Sequence, residues 1–150
     1  MTRLRIDPEL RSALVAAALI AGGAGPVAAA DNALPEPEMA GAVQYVTGGV
    51  GQRESQAFLE HRREYPLAVE VYAREAGREI YTAGASIDVK TPSGDPVLHA
   101  EADGPFLLAD VPPGRYTVEA TLDGKSQRKS VTVEEDRTRR TVFVFADVRA

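Results

Sequence analysis

The stretch Leu107-Leu108-Ala109-Asp110-Val111-Pro112-Pro113-Gly114-Arg115-Tyr116-Thr117-Val118-Glu119-Ala120 decides the fold. A short apolar run meets a Pro-Pro-Gly turn, and Tyr116 soon after opens an alternating segment. Proline fixes φ near −65° and has no N–H to donate, so Pro112 and Pro113 stop the first run from extending its ladder. Gly114 can take the positive φ that lets the chain reverse. Tyr116, Val118, Ala120 and Leu122 then share one face, while Thr117, Glu119, Thr121 and Asp123 share the other. That is a half-buried antiparallel strand with its turn attached, and it points to a small β-sandwich.

The same alternation recurs on both sides. Seven candidate strands fall at 67–74, 85–90, 97–102, 106–109, 115–122, 128–134 and 140–148. Turn chemistry separates them at Thr91-Pro92-Ser93-Gly94-Asp95-Pro96, Asp103-Gly104-Pro105, Asp123-Gly124 and Glu135-Asp136. The pattern predicts an all-β, seven-stranded antiparallel sandwich. Its expected core is Val71, Ile87, Val89, Leu98, Leu108, Tyr116, Val118, Leu122, Val131, Val133, Val142 and Val144. Tyr116 should be buried with its hydroxyl bonded to nearby backbone, because a buried phenol seeks a partner.

Upstream of this block the spacing predicts one short helix over 52–65. Glu54 in its first turn suits the helix dipole. Ala57, Phe58, His61 and Tyr65 form one face, and Pro66 ends the helix by forcing the residue before it out of the α region. Gln44-Tyr45-Val46-Thr47 reads as a short extended piece and Thr47-Gly48-Gly49-Val50-Gly51 as a loop. Residues 31–43, with two prolines and scattered acids, read as a poorly ordered lead-in.

The first thirty residues read as a secretory signal peptide. Arg3, Arg5 and Arg11 give a basic start, Ser12 to Ala21 is nearly all Ala, Leu, Val and Ile, and Ala28-Ala29-Ala30 offers a cleavage site before Asp31. The apolar run falls short of the roughly 20 residues needed to span a bilayer, so no stable membrane insertion is expected after cleavage. Without paired arginines the general secretory route is favoured. The organisation expected is signal peptide 1–30, lead-in 31–43, loop and helix 44–66, and sandwich 67–150, in a periplasmic or secreted protein.

Removing three arginines, one aspartate and one glutamate takes the count from 17 basic and 22 acidic side chains to 14 and 20, and the net charge from −5 to −6. That acidity argues against nucleic acid, which demands a concentrated basic face. Cysteine is absent, which excludes disulfides and a lipid-modified cysteine.

Residues 67–148 resemble the carboxypeptidase regulatory-like domain, a transthyretin-like (prealbumin-like) seven-stranded sandwich. Ala85-Ser86-Ile87-Asp88-Val89, Thr91-Pro92-Ser93-Gly94-Asp95-Pro96-Val97-Leu98 and Asp103-Gly104-Pro105-Phe106 carry the resemblance. It continues through Val111-Pro112-Pro113-Gly114-Arg115-Tyr116-Thr117-Val118. The front, Tyr45 to Gly51 with the helix and Tyr65-Pro66-Leu67, is similar to small stand-alone exported proteins of this type from Gram-negative bacteria. In metallocarboxypeptidases such a domain accompanies a zinc catalytic domain and supplies no catalytic residue. The resemblance therefore implies an accessory or adhesive role. Pro112, Pro113, Gly114 and Tyr116 are its structural motif.

The residues offer little catalytic chemistry. His61 with Glu64 is an i, i+3 pair, and His99 alternates with Val97 and Glu101, but a zinc site needs three or four convergent ligands. Serines 55, 86, 93, 126 and 130 lie in no Gly-x-Ser-x-Gly elbow. Hydroxyisourate hydrolase shares the transthyretin fold, yet its closing Tyr-Arg-Gly-Ser is replaced here by Phe145-Ala146-Asp147-Val148-Arg149-Ala150. A Lys–Asn isopeptide lock fails because Asn32 is the sole asparagine. Gly48, Gly49 and Gly51 before the helix could contact an anion through free N–H groups. Lys125, Arg128, Lys129, Arg137, Arg139 and Arg140 bracket the last hairpin, either as a basic strip or as guards on a sheet edge. The function expected is a non-enzymatic module contacting an envelope protein or glycan through loops or a sheet edge, without metal or cofactor. The competing expectation is a small hydrolase or metal-dependent enzyme built on His61 and His99.

Overall fold

The computed structural model describes residues 33–146. The expected signal peptide lies outside the described residues. Two sheets face each other. One has six strands in the order β1 (Glu38–Ala40), β2 (Val43–Gly48), β7 (Phe106–Ala109), β3 (Leu67–Glu75), β10 (Arg139–Ala146), with β4 (Arg78–Tyr81) added beside β3. The other has four, ordered β6 (Pro96–Ala102), β5 (Ala85–Lys90), β8 (Gly114–Leu122), β9 (Lys125–Val133). The all-β sandwich is therefore present.

Among the described residues the strand count rises from the expected seven to ten. β1, β2 and β4 are the additions, and β1 corrects the lead-in: Glu38–Ala40 pairs antiparallel with Val43–Tyr45. Tyr45 Oη donates to Glu38 at 3.0 Å, tying that short ribbon together. Pairing is not wholly antiparallel either. β3 and β10 run parallel, Leu67 opposite Arg139 through to Arg74 opposite Ala146.

Strict alternation marks β5 and β8, whose inner side chains Ala85, Ile87, Val89, Tyr116, Val118, Ala120 and Leu122 are buried between the sheets. β3 does not alternate, because both its faces are covered. Leu67, Val69 and Val71 enter the inter-sheet core, while Ala68 joins Val46, Phe58, Phe106 and Leu108 in a second cluster on the outer face. Leu108, expected in the main core, belongs to that second cluster. β10 is out of phase with expectation by one residue. Phe143 and Phe145 are buried and Val142 and Val144 only half-buried. In Val-Phe-Val-Phe no polar residue sets the phase, and the larger rings take the core.

The second cluster is the seat of α1 (Gln52–His61), which buries Ala57 and Phe58. Phe58 stacks on Phe106 with centroids 5.4 Å apart. Burying such a ring contributes about 2–3 kcal/mol. The helix is shorter than predicted: a 3₁₀ turn, Arg62–Glu64, replaces its last turn. Tyr65 is extended (φ −116°, ψ 143°), as the residue before Pro66 must be.

Candidate functional site

The Pro-Pro-Gly-Tyr element does not close a hairpin. β7 belongs to the six-stranded sheet and β8 to the four-stranded one, so Val111-Pro112-Pro113 carries the chain across the sandwich. Val111 is buried in the inter-sheet core. Gly114 opens β8 at φ +155°, and Tyr116, 7% exposed, donates its hydroxyl to the Pro112 carbonyl at 2.5 Å. The prolines cannot supply N–H groups, so this bond anchors the crossing from the side-chain end. Burial pushes the Tyr116 phenol above its ordinary pKa.

The glycine loop is closed by its own chain. Gly49 N–H donates to Glu54 Oε1 at 2.9 Å, an arrangement close to a capping box in which a first-turn glutamate reaches back. An external anion at Gly49 would have to displace Glu54. Sterics also account for the glycines. A Cβ on Gly49 (φ +102°) would fall 2.4 Å from the Phe106 ring, and one on Gly104 would fall 2.3 Å from the Gly48 carbonyl oxygen. Gly51 has open space around it, at φ +102°.

The two histidines are not brought together. His61 Nδ1 lies 2.8 Å from Glu64 Oε1 at the end of α1, over the outer face of the six-stranded sheet. His99 Nδ1 lies 2.6 Å from Asp88 Oδ1 on β6. Its neighbours Leu98 and Ala100 point into the core, so His99 points outward from the four-stranded sheet. The imidazoles thus occupy opposite outer faces, each with one carboxylate. Among the described residues no group of three or more His, Asp or Glu could hold a metal ion.

The basic residues of the last hairpin divide into separate duties. Arg128 makes a two-nitrogen contact with Glu119 Oε2, at 2.9 and 2.6 Å. Arg137 pairs with Glu134 at 3.7 Å. Lys125, Gln127 and Lys129 share the parity of the buried Val131 and Val133, so they turn toward the partner sheet. There they donate to the outward carbonyls of β10. Lys125 Nζ reaches Ala146 O at 3.2 Å, Gln127 Nε2 reaches Val144 O at 2.7 Å, and Lys129 Nζ bonds Val142 O. Inward-pointing charges on an edge are a device against strand addition.

Arg140 leads to a residue the sequence did not single out. Glu70 on β3 is 1% exposed beneath the α1 region. Arg140 contacts both its oxygens, Nη2 at 3.1 Å from Oε1, and Arg62 of the 3₁₀ turn lies 3.6 Å away. Tyr72 Oη donates to the same carboxylate. Burial first, then Glu70, pushes the Tyr72 phenol well above its ordinary pKa. Tyr81 lies beside the Tyr72 ring, 5.9 Å between centroids, and accepts a bond from the buried Ser55 hydroxyl at 3.2 Å. A buried charge needs such partners. The available signal was weak: a glutamate centred in an apolar strand, with its partner Arg140 one of several arginines in a run about 70 residues on.

No family model matches the chain, and no curated protein matches it. Among solved structures it is similar to GBS52, the minor pilin of the Gram-positive pathogen Streptococcus agalactiae, at 14% identity and a TM-score of 0.43. The match covers 56% of this chain and 44% of the pilin chain, less than half of that protein's length. Among the described residues no helix is long and apolar enough to cross a membrane.

Proposed function

We propose that the chain is a non-enzymatic exported module of the cell envelope, a carboxypeptidase regulatory-like sandwich of the transthyretin type. It contacts an envelope protein or glycan through its loops or a sheet edge. The observation that carries this is the unequal treatment of the two flanks. On one flank β9 closes the β10 carbonyls with Lys125, Gln127 and Lys129. On the other, β6 is the terminal strand of its sheet, and its sequence Pro-Val-Leu-His-Ala-Glu-Ala carries no lysine or arginine of the kind that closes the β10 edge. β6 runs beside β1 and β2 of the facing sheet, so an extended segment adding to its outer main-chain groups would enter along that flank. The paired histidines on opposite faces and the ion-paired Glu70 leave surface recognition as the chemistry best supported.

Two measurements test this. Affinity recovery of the tagged protein from the native envelope should enrich one protein or glycan repeatedly; recovery as a lone monomer each time would sink the proposal. N-terminal sequencing of the envelope form should begin near Asp31, and an intact Met1 in a cytosolic protein would refute export.

A further inference from the structure

The outer face of the four-stranded sheet carries a furrow that none of the motifs above explains. Two concavities of about 270 and 290 Å³ adjoin there, and a third of about 250 Å³ continues from them into the connection between β9 and β10. The first two share Pro92 and Thr117, and the second and third share Thr132. Register places Lys90, Thr117 and Ser130 on one cross-strand row and Arg115 with Thr132 on the next. Adjacent strands lie about 4.8 Å apart, so these groups form a compact array.

Its charge opposes that of the molecule. Five cations line the furrow, Lys90, Arg115, Arg128, Arg137 and Arg139, against two carboxylates, Glu119 and Glu134. Both carboxylates are already neutralised, by Arg128 and Arg137. Lys90, Arg115 and Arg139 are exposed and, among the described residues, have no acidic partner. The hydroxyls of Thr117, Ser130 and Thr132 make no internal hydrogen bond there either. The whole chain is acidic, at −5, so local attraction of an anion at this one face is set by these side chains.

We propose that this furrow binds an acidic polysaccharide, a linear sugar chain bearing carboxylate or sulfate groups. Lys90 and Arg115 take the acidic groups, and Thr117, Ser130 and Thr132 take sugar hydroxyls. A peptide fits less well. β8 on the floor is paired on both sides and offers no free backbone. The large exposed apolar side chains, Met39, Val50, Leu59, Ile80 and Tyr81, all belong to other elements. The inference rests on the binding-module reading and names its ligand class.

Binding of the purified full chain is measured by calorimetry to polygalacturonate, dextran sulfate, neutral dextran and poly-glutamate at physiological salt. At least one acidic polysaccharide should bind more tightly than poly-glutamate, and neutral dextran should not bind. Lys90→Gln with Arg115→Gln should weaken polysaccharide binding about tenfold or more, and Arg78→Gln, outside the furrow, should leave it unchanged. Thr117→Val with Ser130→Ala should weaken the polysaccharide but not poly-glutamate. Circular dichroism confirms that each variant is folded. Equal affinity for poly-glutamate, equal loss in Arg78→Gln, or no binding to either acidic polysaccharide would overturn the inference. If none binds while an envelope partner is still recovered, the ligand class is wrong and the binding-module reading stands.

Discussion

Glu70 holds together elements far apart in sequence: the 3₁₀ turn through Arg62, β10 through Arg140 and its own strand through Tyr72. Removing its cations leaves the buried Glu70 carboxylate uncompensated, so Arg140→Ala with Arg62→Ala should destabilise the fold by about 3–5 kcal/mol in urea unfolding. A loss below about 1 kcal/mol would show the pair to be dispensable. Tyr72 adds a pH effect of definite sign. A free phenol ionises near pH 10, whereas the folded pKa of Tyr72 is raised by burial and by Glu70. Between the two ionisations the native state holds more protons than the unfolded one, so stability present below about pH 10 falls as pH rises further. Tyr72→Phe should flatten that alkaline decline in thermal melts, and an unchanged slope would count against the raised pKa. Gly104→Ala drives a Cβ into the Gly48 carbonyl. It should cost about 1–3 kcal/mol, read as a lowered Tm.

At the scale of elements, the guarded edge gives the sharpest expectation. Replacing Lys125, Gln127 and Lys129 together by threonine frees the carbonyls of Val142, Val144 and Ala146 for another chain. Sedimentation should then show concentration-dependent self-association beyond that of the parent protein. A variant no more associated than the parent would contradict the guarding role. Phe58→Ala empties the stack on Phe106 and should cost about 3–5 kcal/mol. The hairpins show what a sequence can and cannot display. Asp123 and Gly124 both take positive φ, +50° and +79°, and Asp-Gly announces such a turn. Ala76 and Gly77 take the same conformation, at +49° and +81°, but alanine is rarely found there, so β4 stayed hidden in the sequence. β8 was legible because polar and apolar residues alternate. β10 lost its phase because its run is apolar throughout.

Across the whole molecule, local alternation and turn chemistry carried the sandwich class and most strand positions, because both are written into neighbouring residues. The parallel pairing of β3 with β10, the crossing of Val111-Pro112-Pro113 between sheets and the burial of Glu70 depend on partners about 70 residues apart or on the helix above. None of these has a local signature. For the same reason the outer furrow was invisible: Lys90, Arg115, Ser130 and Thr132 meet only through register. The proposed function makes this a molecule that works by its surface. The direct measurement is quantitative recovery of partners from the native envelope with the parent protein and with His61→Ala/His99→Ala. A surface-binding module predicts the same partner in the same yield from both. Failure to enrich any partner with either protein, or loss of the partner only in the histidine variant, would contradict it.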